Sequence, residues 1–327
     1  SASLQSFQAG QSQDAVAIQH QLSLQKTQSV QTTPVPEASN VRTREWRFTT
    51  EAQGALAPLG AFLEPAGELS YISWKPVDFK KAVQAGFTTV WLGAGGYLKL
   101  SASERQAVLA QAKRAGLRTL GFIGGDPEWV NPNRPEQAAF AIGEYRRLIN
   151  EMDSFISRQE TPDALRFAFA TDIEPYTREW WDGDLSGYSA LLQQITPVLQ
   201  DFYSRHRNQI SPPRTVLTRF EPFWWKNGHV TESGKVIRGL QETSGSDVAS
   251  MTYRDTAAQI LSVSESVRAR IGEVPGMEFF LGAETKPSGP GIPAHVTFDG
   301  QLPAMAAELI SAIQSISSDQ VKSLKGV

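Results

Sequence analysis

The stretch LRFAFATDIEPY, residues 165–176, decides the fold of this chain. The apolar run from Leu165 to Ile173 has the length and composition of a buried strand, and it ends in an acidic turn that contains a proline. A helical segment precedes it, from about Pro135 to Arg158, and another follows it, from about Ser186 to His206. The pattern predicts a buried parallel strand between two helices.

The same alternation continues on both sides of this strand. Six further strands are predicted, at Leu69–Trp74, Thr89–Leu92, Thr119–Ile123, Thr215–Phe220, Asp247–Tyr253 and Met277–Ala283. An open doubly wound sheet and a closed barrel both fit such a pattern. The number of units, the absence of G-x-G-x-x-G after the first strand, and polar or aromatic residues at nearly every strand end favour the barrel. The sequence therefore predicts a (β/α)8 TIM barrel.

The two ends of the barrel are less regular in sequence. Leu324–Val327 resembles the start of an eighth strand, which leaves this strand irregular or incomplete. The alternatives are completion by a segment before Glu68, such as Trp46–Phe48, or a chain that is cut short. The predicted organisation is a disordered Gln/Ser-rich tail (1–41), a linker or barrel-capping segment (42–67) and the barrel domain (68–327).

Composition limits the possible functions. The chain has 327 residues, no cysteine and a formal net charge of −3, with a pI near 5.9. Nothing here indicates nucleic-acid binding, which requires a basic patch, or a membrane span, which requires about 20 apolar residues. We expect no cofactor. Because the chain begins at Ser1 and has a polar tail, a secreted or periplasmic location is expected.

Two strands end in a glutamate that directly precedes loop residues. Glu174 follows the fourth strand and Glu284 follows the seventh. In a (β/α)8 barrel such residues lie at the carboxyl-terminal rim, where active sites are found. Glycoside hydrolysis requires two carboxyl groups that flank the scissile bond. Each glutamate also has a structural interpretation, as a helix cap or as the partner of a basic neighbour such as Lys286.

These positions resemble those of the retaining glycoside hydrolases of clan A, the "4/7" barrels. The resemblance implies that Glu174 is the acid/base and Glu284 the nucleophile, and that Tyr253 hydrogen-bonds the nucleophile. In the family an Asn usually precedes the acid/base, whereas this chain has Ile173, with Asp172 one position earlier. The family's usual Arg on strand two has no match. The implied activity is hydrolysis of glycosidic bonds in a polysaccharide or oligosaccharide, with retention of configuration.

Several other residues near the predicted strand ends are candidates for substrate binding. Flat aromatic rings stack on sugars, and exposed aromatic clusters are unusual without a ligand. The candidate substrate-binding residues are Asp172, Tyr253, Arg254, Glu221, Trp74, Trp180, Trp181, Trp224, Trp225 and Asp126. Glu221 precedes a proline as Glu174 does, so it is also a rival catalytic carboxylate. For Trp91, within the second strand, core packing is favoured.

Two other classes of function stay open at this point. A barrel that binds a polysaccharide without cleaving it also fits, since the Asn before Glu174 is missing. A metal-dependent barrel hydrolase would hold Mg²⁺ or Ca²⁺ between Asp172, Glu174, Glu221 and Glu284. The four histidines have no metal-ligand spacing, and no metal site is assigned.

Overall fold

The computed structural model describes residues 50–63, 67–73, 77–158, 165–208, 216–242, 246–274, 276–286, 288–289, 292–298 and 300–327. Eight parallel strands form one sheet in the sequential order β1 to β8, and helices alternate with most of them. This confirms the (β/α)8 TIM barrel predicted from the sequence. The tail 1–41 and the segment Trp46–Phe48 lie outside the described residues.

The strands are β1 (Ser70–Ser73), β2 (Thr89–Gly93), β3 (Thr119–Gly124), β4 (Arg166–Thr171), β5 (Leu217–Pro222), β6 (Ser246–Met251), β7 (Phe279–Leu281) and β8 (Leu324–Gly326). The helices are α1 (Thr50–Leu63), α2 (Phe79–Gln84), α3 (Ala94–Leu98), α4 (Ala102–Arg114), α5 (Glu136–Ile156), α6 (Ser186–Arg205), α7 (Ala257–Glu273), α8 (Leu302–Gln314) and α9 (Ser318–Val321). Short 3₁₀ segments span Pro127–Val130, Pro175–Thr177 and Ala294–Val296.

Local sequence signals set the helix boundaries. At the start of α4 the Ser101 hydroxyl accepts from the Glu104 amide, and the Glu104 carboxylate accepts from the Ser101 amide at 2.8 Å. This is the capping box that the sequence predicts. The part of the chain described between β5 and β6, residues 223–242, contains no helix, and Val230 and Val236 form an antiparallel bridge there.

Alternation along the strands divides the core into two layers. One face of β4 packs against the helices through Phe167 and Phe169, whose rings contact Phe155 and Phe202. The opposite face fills the barrel interior, where Ala170 packs with Trp91 and Ile123 from β2 and β3. A side chain at Gly121 would overlap the Trp91 indole, so glycine is required there. Trp91 is therefore a core residue, as expected.

The barrel is nearly closed at the seam between β8 and β1. β8 pairs with β7 across a register irregularity at Phe279 and Phe280. On its other side, backbone hydrogen bonds run from Glu68 to Lys325 (2.8 Å), from Val327 to Glu68 (2.9 Å) and from Ser70 to Val327 (2.7 Å). Leu324–Gly326 is thus the eighth strand itself, and it is short and irregular, as the sequence indicates.

Helix α1 covers the outside of this seam region. It packs against α8 and buries Leu56, Leu59 and Leu63. Of the two roles predicted for residues 42–67, linker or capping segment, the described part 50–63 packs on the barrel domain. Among the helices in the described part of the chain, none is long and apolar enough to cross a membrane.

Candidate active site

A pocket of about 250 Å³ opens where strands β4, β6 and β7 end. Asp172, Tyr253 and Glu284 contribute its polar wall. Its apolar wall includes the barrel-interior side chains Trp91 and Phe220, and it extends to the seam at β1 and to α8 through residues such as Leu69 and Leu302. The pocket therefore lies at the carboxyl-terminal face, the position of active sites in this fold.

The period of two along β4 continues to Asp172, which directly follows the strand and lines the pocket. Ala168 and Ala170 belong to the barrel interior, and Asp172 continues that face to line the pocket. Glu174, two residues further on, lies beyond the strand, directly before the 3₁₀ segment Pro175–Thr177. Glu174 is 5% exposed, and the described residues that line the pocket do not include it. Its side chain is held in the adjoining loop, where the Tyr176 hydroxyl donates to its Oε1 at 2.5 Å.

Glu284 is fixed by the loop that follows β7. Its Oε1 accepts from the backbone amides of Thr285 and Lys286, both at 2.9 Å. Its Oε2 lies 3.6 Å from the Lys286 ammonium, whose side chain is more than half exposed. Glu284 therefore does form an ion pair with Lys286, as its structural interpretation predicts. The same contacts orient a carboxylate that lines the pocket.

Tyr253, which lines the same pocket, adopts an unusual backbone conformation. Its φ is +23°, and among the described residues it is the one non-glycine with a positive φ. Such conformations cost free energy and persist where surrounding contacts hold them. Here the Thr252 hydroxyl donates to the Gly282 carbonyl, and the Arg254 guanidinium donates to the Tyr253 carbonyl at 2.8 Å. The ends of β6 and β7 are thereby tied together at the pocket.

Electrostatics relate Tyr253 to all three carboxylates. Burial raises the pKa of the Tyr253 hydroxyl well above its usual value, and the charges of Glu284, Asp172 and Glu174 raise it further. The hydroxyl therefore remains protonated and is available as a hydrogen-bond donor to a carboxylate. Asp172, Tyr253 and Glu284 thus line one pocket, and Glu174 lies in the adjoining loop, where it binds Tyr176.

Arg254 has a different environment from the one expected. It is 3% exposed, and its guanidinium lies 5.1 Å from the centre of the Phe223 ring. It is therefore placed to hold the backbone of Tyr253, not to line the pocket as a substrate-binding residue.

Glu221 and Arg219 lie on the other face of β5. Thr218 and Phe220 line the pocket, so the residues that alternate with them point toward the helices. Glu221 is fully buried, 3.1 Å from Arg219 and 3.0 Å from Arg270 of α7. This placement contradicts the expectation that Glu221 binds substrate or replaces a catalytic carboxylate.

Glu242 completes this buried ion-pair network. It lies 2.6 Å from Arg219 and 2.5 Å from Arg270. Burial opposes ionisation of Glu242, but the charges of Arg219 and Arg270 outweigh it and lower the pKa of Glu242. The network joins the end of the β5–β6 loop to the barrel wall.

The tryptophans divide into two groups. Trp181 is 2% exposed and Trp225 is fully buried, so the expectation that both stack on a sugar is wrong. Trp180 and Trp224 are partly exposed and remain candidates for stacking. Trp74 lies outside the described residues. The buried Trp181 and Trp225 both pack edge-on against the ring of Tyr176, with centroid distances of 6.5 Å and 6.1 Å.

A second acidic group lies on the loop after β3. The exposed Asp126 caps the 3₁₀ segment by accepting from the Glu128 amide at 3.0 Å. Glu128 accepts from the Trp180 indole at 3.1 Å and from Asn131 at 2.7 Å. Burial raises the pKa of Glu128, but these hydrogen bonds and the charge of Arg178 outweigh it and lower the pKa. These contacts anchor Trp180 between the loops after β3 and β4.

The structure also identifies a residue that sequence reasoning missed. Tyr176 binds Glu174, yet the sequence signal for it was slight: a tyrosine two positions after the glutamate, beyond Pro175.

Within the described ranges, no group of three or more His, Asp or Glu side chains is arranged to hold a metal ion.

Comparison of the chain with family models, with curated proteins and with solved structures gave no match.

Proposed function

We propose that this protein hydrolyses glycosidic bonds in a polysaccharide or oligosaccharide, with Glu174 and Glu284 as its two carboxylates. The observation that carries this proposal is a pocket lined by acids that follow two separate strands. Asp172 after β4 and Glu284 after β7 line it together with Tyr253, and the charges of Glu284, Asp172 and Glu174 all contribute to raising the pKa of the Tyr253 hydroxyl. Two carboxyl groups near a single point at the carboxyl-terminal face are the minimum that this chemistry requires.

In the proposed mechanism Glu284 attacks the anomeric carbon. The bond from that carbon to the leaving oxygen breaks, and Glu174 gives its proton to that oxygen. Water then attacks the anomeric carbon, the bond from that carbon to Glu284 breaks, and the water gives one proton to Glu174. The net reaction adds one water across the glycosidic bond. Tyr253 orients the Glu284 carboxylate, which the amides of Thr285 and Lys286 also hold.

Substrate contacts beyond the reacting sugar are assigned to the rim. Trp180 and Trp224 present partly exposed rings on the loops after β4 and β5, which face the same end of the barrel as Glu284. Asp172 lines the pocket and is placed to accept hydrogen bonds from sugar hydroxyls.

A second candidate is a barrel that binds glycans without cleaving them. Two observations favour it. Glu174 is 5% exposed and bound to Tyr176, and Ile173 stands where the resemblance expects an Asn. In that case the rim would bind sugar and the carboxylates would have no catalytic role.

The test is a panel of neutral, amino and acidic polysaccharides, assayed by release of reducing ends. Wild type is compared with Glu284→Gln and with the matched control Glu232→Gln, which changes an exposed glutamate on the β5–β6 loop. The proposal expects turnover in wild type and the control, and its loss in Glu284→Gln. Binding without turnover in all three supports the second candidate.

Stereochemistry tests the mechanism separately. NMR of the freshly released anomer gives the configuration directly, and retention is expected. Exogenous azide should restore turnover of an activated aryl glycoside to Glu284→Ala, because a small anion replaces the missing nucleophile. A product of inverted configuration would still support a glycoside hydrolase, but it would contradict the role of Glu284 as the nucleophile.

A further inference from the structure

Tyr176 occupies a position that packing alone does not explain. Its ring is surrounded edge-on by Trp181, Trp224 and Trp225, with ring centroids 5.0 to 6.5 Å away. A phenylalanine would fill the same cage. The Tyr176 hydroxyl is buried away from water, which costs free energy unless the hydroxyl forms a hydrogen bond there. That partner is the Glu174 carboxyl, whose Oε1 lies 2.5 Å from the hydroxyl oxygen.

The direction of this hydrogen bond is defined by the ionisation of Tyr176. Burial raises the pKa of its hydroxyl well above the usual value, and the charge of Glu174 raises it further. Tyr176 therefore keeps its proton and is the donor. Oε1 of Glu174 accepts this hydrogen bond. As long as Oε1 remains the acceptor, a proton carried by the Glu174 carboxyl resides on Oε2.

We infer that Tyr176 is a positioning residue, which holds Oε1 of Glu174 so that Oε2 bears the transferable proton. This inference rests on the proposed function, because it assigns the protonated oxygen of the general acid. The three tryptophans act through Tyr176. Their rings fix the tyrosine, and the tyrosine fixes Oε1 of the carboxyl, so that Oε2 is the oxygen that carries the proton.

The structure supplies a matched control in Tyr188. Tyr188 also packs edge-on against Trp225, at 5.1 Å between centroids, and it also donates to a buried carboxylate, Oε1 of Glu221 at 3.2 Å. Glu221 lies in the ion-pair network between β5 and the helices, away from the pocket. Tyr176→Phe and Tyr188→Phe therefore remove comparable hydroxyls, but only one of these touches the proposed acid.

The test compares two leaving groups in the full-length chain. The 2,4-dinitrophenolate group of an activated glycoside leaves as a stable anion and needs no proton. The alcohol released from a natural glycosidic linkage must be protonated as it leaves. Tyr176→Phe is expected to reduce kcat/KM for the natural linkage by about 10- to 100-fold and for the activated glycoside by less than about threefold. Tyr188→Phe is expected to change both substrates equally. An equal loss on both substrates in Tyr176→Phe overturns the inference.

A second measurement does not depend on activity. The side-chain carboxyl carbons of the glutamates are labelled with ¹³C, and the Glu174 resonance is assigned by its loss in Glu174→Gln. That resonance is expected to move in Tyr176→Phe and to stay in place in Tyr188→Phe. An unmoved resonance overturns the inference whatever the kinetics. A moved resonance in a protein that cleaves no glycoside supports the positioning of Glu174 and overturns the proposed function.

Discussion

The hydroxyl of Thr252 donates a 2.5 Å hydrogen bond to the carbonyl oxygen of Gly282, which joins the end of β6 to the end of β7. The Gly282 amide in turn donates to Ser250 at 2.8 Å. These bonds define the relative position of the two loops that carry Tyr253 and Glu284. The proposed nucleophile and its tyrosine are thus held through the backbone, and the Glu284 carboxylate is held in addition by the amides of Thr285 and Lys286.

Thr252→Val is expected to lower the free energy of unfolding by about 1–2 kcal/mol, because a buried carbonyl loses its donor. It should also reduce turnover, since Tyr253 loses a restraint. The control is Thr196→Val, which removes a buried hydroxyl bonded to Leu192 on α6, far along the chain from the pocket loops. Urea unfolding and turnover are measured on both. Equal turnover in the two variants would contradict the role of this bond.

Gly282→Ala is expected to be the more damaging change at this junction. A Cβ at Gly282 would lie 2.8 Å from the Ser250 carbonyl oxygen, and backbone atoms in paired strands have little freedom to move away. The melting temperature should fall below that of Thr252→Val. Gly143→Ala on α5, where a Cβ meets nothing within 4 Å, is the matched control and should melt at or above the wild-type temperature.

Glu221→Gln tests the buried network. Loss of the fully buried Glu221 carboxylate leaves Arg219 and Arg270 with Glu242 as their one shared carboxylate. One buried positive charge is then uncompensated, at a cost of about 3–5 kcal/mol. The free energy of unfolding from urea titrations is the measurement, with the exposed Glu232→Gln as control. Normal stability combined with lost turnover would instead make Glu221 a catalytic carboxylate.

We expect Glu242 to contribute to the loss of folding stability at acid pH. The folded pKa of Glu242 is lowered, so its stabilising contribution is complete above the ordinary value of 4.5 and is lost as the pH falls through the lower folded value. Glu242→Gln should therefore be less stable than wild type near neutral pH, and the difference should narrow below about pH 4.5. Urea unfolding of both proteins between about pH 3 and pH 7 measures it, and a constant difference would contradict the assignment.

Trp225→Ala and Trp180→Ala should separate packing from glycan binding. Loss of the fully buried Trp225 should cost about 3–5 kcal/mol of unfolding free energy. Trp180 is partly exposed, so Trp180→Ala should weaken polysaccharide binding with a much smaller change in stability. Trp180→Phe retains an aromatic face but loses the indole bond to Glu128, and intermediate binding is expected. Affinity electrophoresis gives the binding and thermal melts give the stability.

The sequence by itself determined the fold and the strand ends that carry acids. Short apolar runs alternating with longer amphipathic segments define a parallel barrel, and the capping box at Ser101 marks a helix start within a few residues. Because such signals are local, they can be recognised in the sequence without knowledge of the tertiary contacts. They placed Glu174 and Glu284 after β4 and β7, and they favoured the core for Trp91.

Tertiary structure decided which of the other polar and aromatic residues reach the pocket. Glu221 and Glu174 look alike in sequence, each a glutamate before a proline, yet Glu221 points to the helices and pairs with Arg219 and Arg270. Two of the four rim tryptophans are buried because they enclose Tyr176. The physical reason is that strand faces alternate every residue and ion pairs form between segments far apart in sequence. One-residue differences in register therefore exchange a pocket residue for a core residue, and only the folded chain fixes them.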